Sequence, residues 1–370
     1  MLTYIARRFA VAIPTLLAIS FIMFAILYRA GDPLQSLGDI RKLDRATYQS
    51  IIAENHLNEP LLGQYWYWLS DVFHGNLGRS FRPTGGPVWD ELTRRLPKSL
   101  ELLGTSLVVT VLIAIPLGVI GATRRNSTID NVTTGISYLG FATPAFFVGV
   151  LLQISMLKVQ DSGWGVLLLI VGLATLPLSF RSLSRGRGIL TACLSCALAA
   201  VGAVTLSAHQ GDLLLYTAQL TSADNNSLLT LDHLRHLVLP VITLSVISIA
   251  SWSRYLRASM SNTLSQDYLR TARAKGVPER SVIYSHGLRN ALIPLITIAA
   301  LDAAALFSGA VLTETVFAWD GVGGWLVESV RNHDIPPAMA IIMLGALMVI
   351  IFNLVADVCY AIADPRIRLG

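Results

Sequence analysis

Three groups of residues in this sequence have types and spacings that could carry chemistry. The first is the run Ser265–Pro294, SQDYLRTARAKGVPERSVIYSHGLRNALIP, where Arg270, Arg273, Lys275, Arg280 and Arg289 stand against only Asp267 and Glu279. In a soluble protein such a cationic surplus could hint at nucleic acid. The second is Asp302, set in IAALDAAALFSG with Ser308 on the same run. A charged side chain at mid-bilayer costs about 2.5–3.5 kcal/mol on insertion scales, so Asp302 either lines a polar translocation path or bonds to a neighbouring helix. Its small neighbours, from Ala299 to Gly309, suit both readings. The third group comprises possible metal or phosphate ligands: Cys193-x-x-Cys196, the pair His233 and His236, and Gly321-Val322-Gly323-Gly324.

The third group does not survive its context. Cys193 and Cys196 sit in an apolar run without a histidine at ligand spacing, which makes them small helix-packing residues. His233 and His236, beside Arg235, could share a helix face, yet an exposed loop end is the simpler reading. The glycine run follows no strand and precedes no Lys-Ser/Thr pair, so it reads as a loop or re-entrant bend rather than a phosphate cradle. A Walker A sequence, an H-E-x-x-H and a nucleophile elbow are all missing from the chain. The sequence therefore carries no sign of catalysis and no cofactor or metal site of its own.

The elements that must position the first two groups are membrane spans. The chain is 53% hydrophobic and 14% charged, with mean hydropathy +0.58, against roughly 25% charge in a soluble domain. Roughly 20 apolar residues cross a bilayer as a helix. Eight runs qualify: Phe9–Tyr28, Leu100–Ala122, Gly135–Leu157, Gly163–Phe180, Ile189–Ser207, Leu237–Leu256, Ala291–Thr313 and Pro336–Ala361. The first follows Arg7 and Arg8 and precedes no A-x-A cleavage site, so it is expected as a retained span entering from the cytoplasm. With the N-terminus inside, 16 of the 28 Lys and Arg fall in cytoplasmic pieces, and only Lys158, Arg235 and Arg331 in short outer loops. That asymmetry puts both termini and the Ser265–Pro294 run in the cytoplasm. It also accounts for the net charge of +5 without a nucleic acid partner. Removing spans four and five together preserves the alternation, which marks them as an insertable hairpin.

The organisation is then a first span over residues 1–30, an outer domain over 31–97, and spans two and three over 98–157. An inserted hairpin with an outer connector follows over 158–236, and the remaining spans with a cytoplasmic loop at 257–290 fill 237–370. In the outer domain, Asp44 can cap a helix through RATYQSIIAENHL, and Pro60 opens another through Phe73. The quartet Tyr65-Trp66-Tyr67-Trp68 in that second helix suits a membrane-surface element better than a ligand platform. In the cytoplasmic loop, Ser265 or Asp267 can cap a first short helix, Gly276 can end it, and Pro278 suits the first turn of the next. An amphipathic first helix would present Tyr268, Leu269 and Ala272 to a groove in a partner protein.

The run DYLRTARAKGVPERSVIYSHGLRNALIP closely resembles the cytoplasmic EAA loop of ABC importer permeases of the dipeptide/oligopeptide/nickel family. The resemblance extends to NEPLLGQYWYWL, GNLGRSF, PVWDELTRRLPKSLEL, IPLGVIGATRRNSTIDNV, FATPAFFVGVLLQ, HLVLPVITLSV, TETVFAWDGVGGWLVESVRNHDIP and the terminal DPRIR. It covers most of the chain outside about residues 158–230 and fits the "B" type, the partner with the longer first outer segment. There are two departures. The family has six spans, so residues 158–230 add the hairpin. The family's Pro-Gly-Asp-Pro is here Ala30-Gly31-Asp32-Pro33, and His56 stands where a glycine usually precedes Leu-Asp-x-Pro.

The resemblance implies an all-α polytopic membrane protein with the type I ABC importer permease fold, six family spans plus the hairpin, about eight in total. It implies the membrane-spanning subunit of an ATP-driven importer of di- and oligopeptides in the bacterial inner membrane, with nickel chelates or glutathione as alternative substrates. The implied partners are a second, "C" type permease, two cytoplasmic ATPase subunits that bind ATP and Mg, and a periplasmic or lipid-anchored substrate-binding protein. Carried onto this chain, Ala272, Arg273, Ala274, Lys275 and Gly276 form the coupling helix, with Asp267, Tyr268 and Arg270 at its entry. From the residues alone, a proton-coupled secondary transporter using Asp302 stays open, as does a membrane-anchored receptor whose outer domain does the binding.

Overall fold

The structure, a computed structural model, describes residues 2–31, 56–82, 85–125, 142–161 and 231–363, with isolated positions between 49 and 138. Ten helices occur among them. They are α1 Leu2–Ala30, α2 Leu61–Phe73, α3 Val88–Thr123, α4 Ala145–Asp161, α5 Leu231–Leu264, α6 Asp267–Ala274, α7 Glu279–Ser281, α8 Arg289–Val316, α9 Val322–Arg331 and α10 Ile335–Ala363. A π-helical stretch, Val282–Leu288, joins α7 to α8 without a break. The only extended pairing among the described residues is an antiparallel bridge between Arg79 and Pro87. The all-α architecture expected from the sequence is the one observed.

Among the described residues, five helices are long and apolar enough to cross a membrane: Ala10–Arg29, Val88–Thr123, His233–Leu264, Glu279–Phe307 and Ile335–Cys359. They correspond to expected spans one, two, six, seven and eight. Expected spans four and five, the Cys193-x-x-Cys196 pair and the helix to be capped by Asp44 lie outside the described residues. The third span departs from expectation, because α4 starts only at Ala145, after a bend at Thr143. Pro144 has no N–H and pushes the preceding residue out of helical geometry. Its carbonyl instead accepts from the N–H groups of Phe147 and Val148, so Pro144 opens α4 rather than sitting inside a longer helix. The glycine run is also corrected: Gly321 is the N-cap of α9, and Val322-Gly323-Gly324 form its first turn, not a loop.

Residues 1–143, 244–315 and 320–370 form one compact unit with two cores. In the first, Phe24 and Leu27 of α1 pack with Ile335, Ala338 and Met339 of α10 and with Phe81. Helix α2 leans on this core by one face only. Tyr65 OH lies 2.8 Å from Ser20 Oγ, and Trp68 packs near Phe24, while Trp66 and Tyr67 are exposed. At the other end of the α1–α10 pair, Arg8 Nη2 and Asp357 Oδ2 are 2.7 Å apart, so the two charges near the span ends neutralise each other. In the second core, Ala114, Val119 and Ala122 of α3 meet Trp252, Leu256 and Met260 of α5 and Ala291 and Leu295 of α8. Small residues allow the close approach: Ser245 Oγ of α5 donates 3.0 Å to the Ser106 carbonyl of α3.

Residues 144–243 and 316–319 form a second unit. Within it, Gln153 Nε2 donates 3.1 Å to the Val316 carbonyl. His233 and His236 are both buried in the first turns of α5, with the His233 ring 6.1 Å from that of Trp319. The pair is therefore not an exposed loop end. The apolar flank of α5 and the indole of Trp319 draw it inside.

Candidate functional site

The loop after α5 is built from the chain upward as follows. Ser265 Oγ donates 2.8 Å back to the Asn262 carbonyl and so closes α5, which removes it as a cap for α6. The N-cap of α6 is Gln266, in extended geometry and without a side-chain hydrogen bond, and Asp267 is the first helical residue. The expected capping by Ser265 or Asp267 is corrected accordingly. Asp267 still places negative charge where the helix dipole favours it. At the other end Lys275 is the C-cap, and Gly276 adopts φ +77°, a conformation that glycine enters without steric penalty. The Gly276 and Val277 N–H groups donate to the Arg273 and Ala272 carbonyls at 2.9 and 3.2 Å. Pro278 then stands immediately before α7, as its N-cap.

Two contacts fix this turn. The Arg273 guanidinium donates twice to Glu279, Nε to Oε2 at 3.1 Å and Nη2 to Oε1 at 3.0 Å, across Gly276. Leu269 is fully buried, as is Val282 at the start of the π-helical stretch. Leu269 is therefore not offered to a partner as the sequence suggested. It points into the protein and anchors α6, which leaves Tyr268, Arg270, Arg273, Ala274 and Lys275 exposed and Ala272 half-buried. The expected coupling residues Asp267 to Gly276 thus lie on one short helix and the turn that ends it, held at both ends.

Beside α6 is a concavity of about 600 Å³ lined by Tyr268, Ser285, His286, Arg289, Asn290, Ile293 and Ile296. Asn290 Nδ2 donates 2.8 Å to Tyr268 OH, which ties α6 to the start of α8. Farther along α8, about 20 Å from Arg289 at 1.5 Å per residue, Asp302 Oδ2 accepts from Trp252 Nε1 of α5 at 2.5 Å. Ser308 lies on the same helix, and its side chain is outside the described residues. The structure thus keeps the two predicted groups apart and joins them through α8.

A third site escaped the sequence reading. At the far end of α8, just past the expected span, Glu314 is buried, with 1% of its surface exposed. Its Oε1 accepts from Ser99 Oγ at 2.6 Å, and its Oε2 accepts from the N–H groups of Gly323 and Gly324 at 2.7 and 3.0 Å. Ser99 Oγ in turn accepts from the Val322 N–H at 2.9 Å. The first turn of α9 is thus satisfied by a carboxylate and a hydroxyl, as an unpaired helix N-terminus requires. Glycine is needed for the approach: a Cβ at Gly323 would stand 2.6 Å from Val311 Cα.

Asp320 meets Lys98 Nζ at 2.6 Å and the Nη1 atoms of Arg94 and Arg95 at 2.7 Å, all on the first turns of α3. Asp334 accepts from Ser80 Oγ and from the Phe81 N–H, at 2.5 and 2.9 Å. Burial pushes the Glu314 and Asp334 carboxyls above their ordinary values despite these donors. At Asp320 burial acts the same way, but Lys98, Arg95 and Arg94 together outweigh it and hold the carboxyl low. The signal was present as opposite charge in PVWDELTRRLPKSLEL and TETVFAWDGVGGWLVESVRNHDIP, more than 220 residues apart.

Comparison with known proteins covers the whole of this architecture. The family described as "Binding-protein-dependent transport system inner membrane component" matches residues 114–369, and "Binding-prot-dependent transport system membrane comp, N-term" matches residues 1–103. The chain is 34% identical over 369 residues to the oligopeptide transport system permease protein AppB of Bacillus subtilis (strain 168), covering 100% of each. It is 33% identical over 369 residues to the dipeptide transport system permease protein DppB of Escherichia coli (strain K12), covering 100% of this chain and 99% of that one. It is 34% identical over 369 residues to the di/tripeptide transport system permease protein DppB of Pseudomonas aeruginosa (strain UCBPP-PA14), with the same coverage.

Proposed function

The chain belongs to the binding-protein-dependent transport system inner membrane component family, and on that premise we propose that it is the permease subunit of an ATP-driven importer of dipeptides and oligopeptides. The observation that carries this reading is full-length similarity to relatives named as permeases for di-, tri- and oligopeptides. The chain is a multi-pass membrane protein that provides the passage, and the energy enters from other subunits. Two cytoplasmic ATPases, binding ATP and Mg, engage the exposed face of α6 at Arg270, Arg273, Ala274 and Lys275. A "C" type permease completes the passage, and a substrate-binding protein delivers peptide on the outer side, where residues 31–97 lie. Both termini are cytoplasmic, in the inner membrane. Asp302 and Ser308 are the residues of α8 assigned to the translocation path.

The geometry of α6 supports the coupling role. A short helix transmits a push only if it cannot yield locally, and α6 is anchored by Leu269, by the Arg273–Glu279 pair and by the Tyr268–Asn290 bond. The test is reconstitution of the four-subunit complex with its binding protein in proteoliposomes. Peptide uptake should require ATP, and Gly276→Pro or Arg273→Glu should leave ATP hydrolysis running while uptake falls at least tenfold. Uptake by this chain alone under a proton gradient would overturn the reading, as would wild-type uptake by both variants.

A further inference from the structure

The concavity beside α6 has features that coupling does not use. Its lining holds one guanidinium, Arg289, and no carboxylate. Arg289, Ser285 and the His286 ring are exposed, and among the described residues none of these side chains has an intrachain hydrogen bond or ion pair. Tyr268 OH already accepts from Asn290 Nδ2, so its own proton remains available to donate into the space. One wall is therefore a cation with three further donor groups and no anion to neutralise it. The other wall is Ile293 and Ile296, one and two turns farther along α8, inside its apolar run. A small soluble anion would use the first wall and leave the second wet. A ligand with an anionic head and an apolar tail would use both.

We propose that this concavity binds the phosphate headgroup of an anionic phospholipid from the leaflet that faces α6. Arg289 and the Tyr268, Ser285 and His286 groups would hold the phosphodiester, and an acyl chain would run along Ile293 and Ile296. Basic pockets among spans on the cytoplasmic side take such headgroups by the same combination of charge and depth. A free phosphate shares the head chemistry, and the two isoleucines favour the lipid. The site touches α6 only through Tyr268, and its occupancy is read by mass spectrometry without a transport assay.

The test is native mass spectrometry of the full chain purified with its partner subunits in detergent and titrated with phosphatidylglycerol or phosphatidylcholine. The wild type should retain one phosphatidylglycerol at least tenfold more tightly than phosphatidylcholine. Arg289→Gln should erase that preference, Arg289→Lys should restore most of it, and Arg280→Gln, an exposed arginine outside the concavity, should leave it intact. Ile296→Ser should weaken lipid retention severalfold. Unchanged preference in Arg289→Gln, or equal loss in Arg280→Gln, would overturn the proposal. Displacement of the lipid by millimolar inorganic phosphate would assign the site to a soluble anion and would overturn the lipid claim too.

Discussion

Replacing Asp320 with Asn tests whether the charges at the far end of α8 hold the first turn of α9 in place. The substitution keeps the shape and one acceptor but removes the charge that faces three cations at 2.6–2.7 Å. Their exposures differ and set the magnitude. Arg94 is 49% exposed and its pair with Asp320 should be worth little, whereas Lys98 and Arg95 are 31% and 17% exposed. Exposed pairs contribute about 0–1 kcal/mol and hydrogen bonds to charged groups about 1.5–3 kcal/mol. A loss of about 2–3 kcal/mol follows, which corresponds to roughly a 30- to 150-fold rise in the open fraction.

Hydrogen exchange at the amides of Val322, Gly323 and Gly324 reads that opening directly. The pH dependence supplies a second check. The Asp320 carboxyl is held below its ordinary value of 3.8. Its contribution is therefore present above that pH and is lost only as pH falls through the lower folded-state value. The effect of Asp320→Asn should accordingly be the same at pH 6 and pH 8. Less than a twofold change in exchange, or an effect that disappears between those two pH values, would refute the reasoning.

Two further outcomes are expected. Glu314 behaves oppositely to Asp320, because burial raises its carboxyl above 4.5. Its contribution is greatest below that pH and declines as pH rises through the raised value, so Glu314→Gln should remove that fall in thermal stability as pH rises above 4.5, and an unchanged fall would count against this. Leu269→Ala removes a fully buried side chain and should destabilise the seating of α6 by about 2–5 kcal/mol. The readout is faster exchange of the α6 amides with exchange in α1 unchanged, and a loss under about 1 kcal/mol would show that Leu269 is not the anchor.

What the sequence made legible was the part governed by local rules. Hydropathy located the five described spans because insertion depends on composition over about 20 residues. Gly276 announced its turn because few other residues enter φ +77°. What stayed hidden depended on partners distant in sequence. Leu269 looked like an offered residue because an eight-residue helix with one leucine does not reveal which side meets the span above it. Gly321–Gly324 looked like a loop or re-entrant bend because no strand precedes the run and no Lys-Ser/Thr follows it, and only the buried Glu314 turns its N–H groups into a helix start. His233 and His236 looked exposed because their burial depends on packing around α5 rather than on their own spacing. Asp320 and Lys98 find each other across 222 residues, a distance at which charge pattern gives no register.

Helix α8 is fastened at both extremities, to α6 by Asn290 and to α3 and α9 by Glu314. The 24 residue steps from Asn290 to Glu314 span about 36 Å. Its compliance is unevenly distributed. Pro294 and the adjoining π-helical stretch, the two interruptions of regular hydrogen bonding, both sit at the α6 end. Beyond Pro294 no proline or π turn interrupts the helix up to Val316. If α6 couples as proposed, a displacement there would first be absorbed as bending close to where it enters, and what passes that point would travel as rigid motion. Under the proposed coupling role, the stiffness of one short segment, rather than the length of the span, would set how much of a stroke at one face arrives at the other.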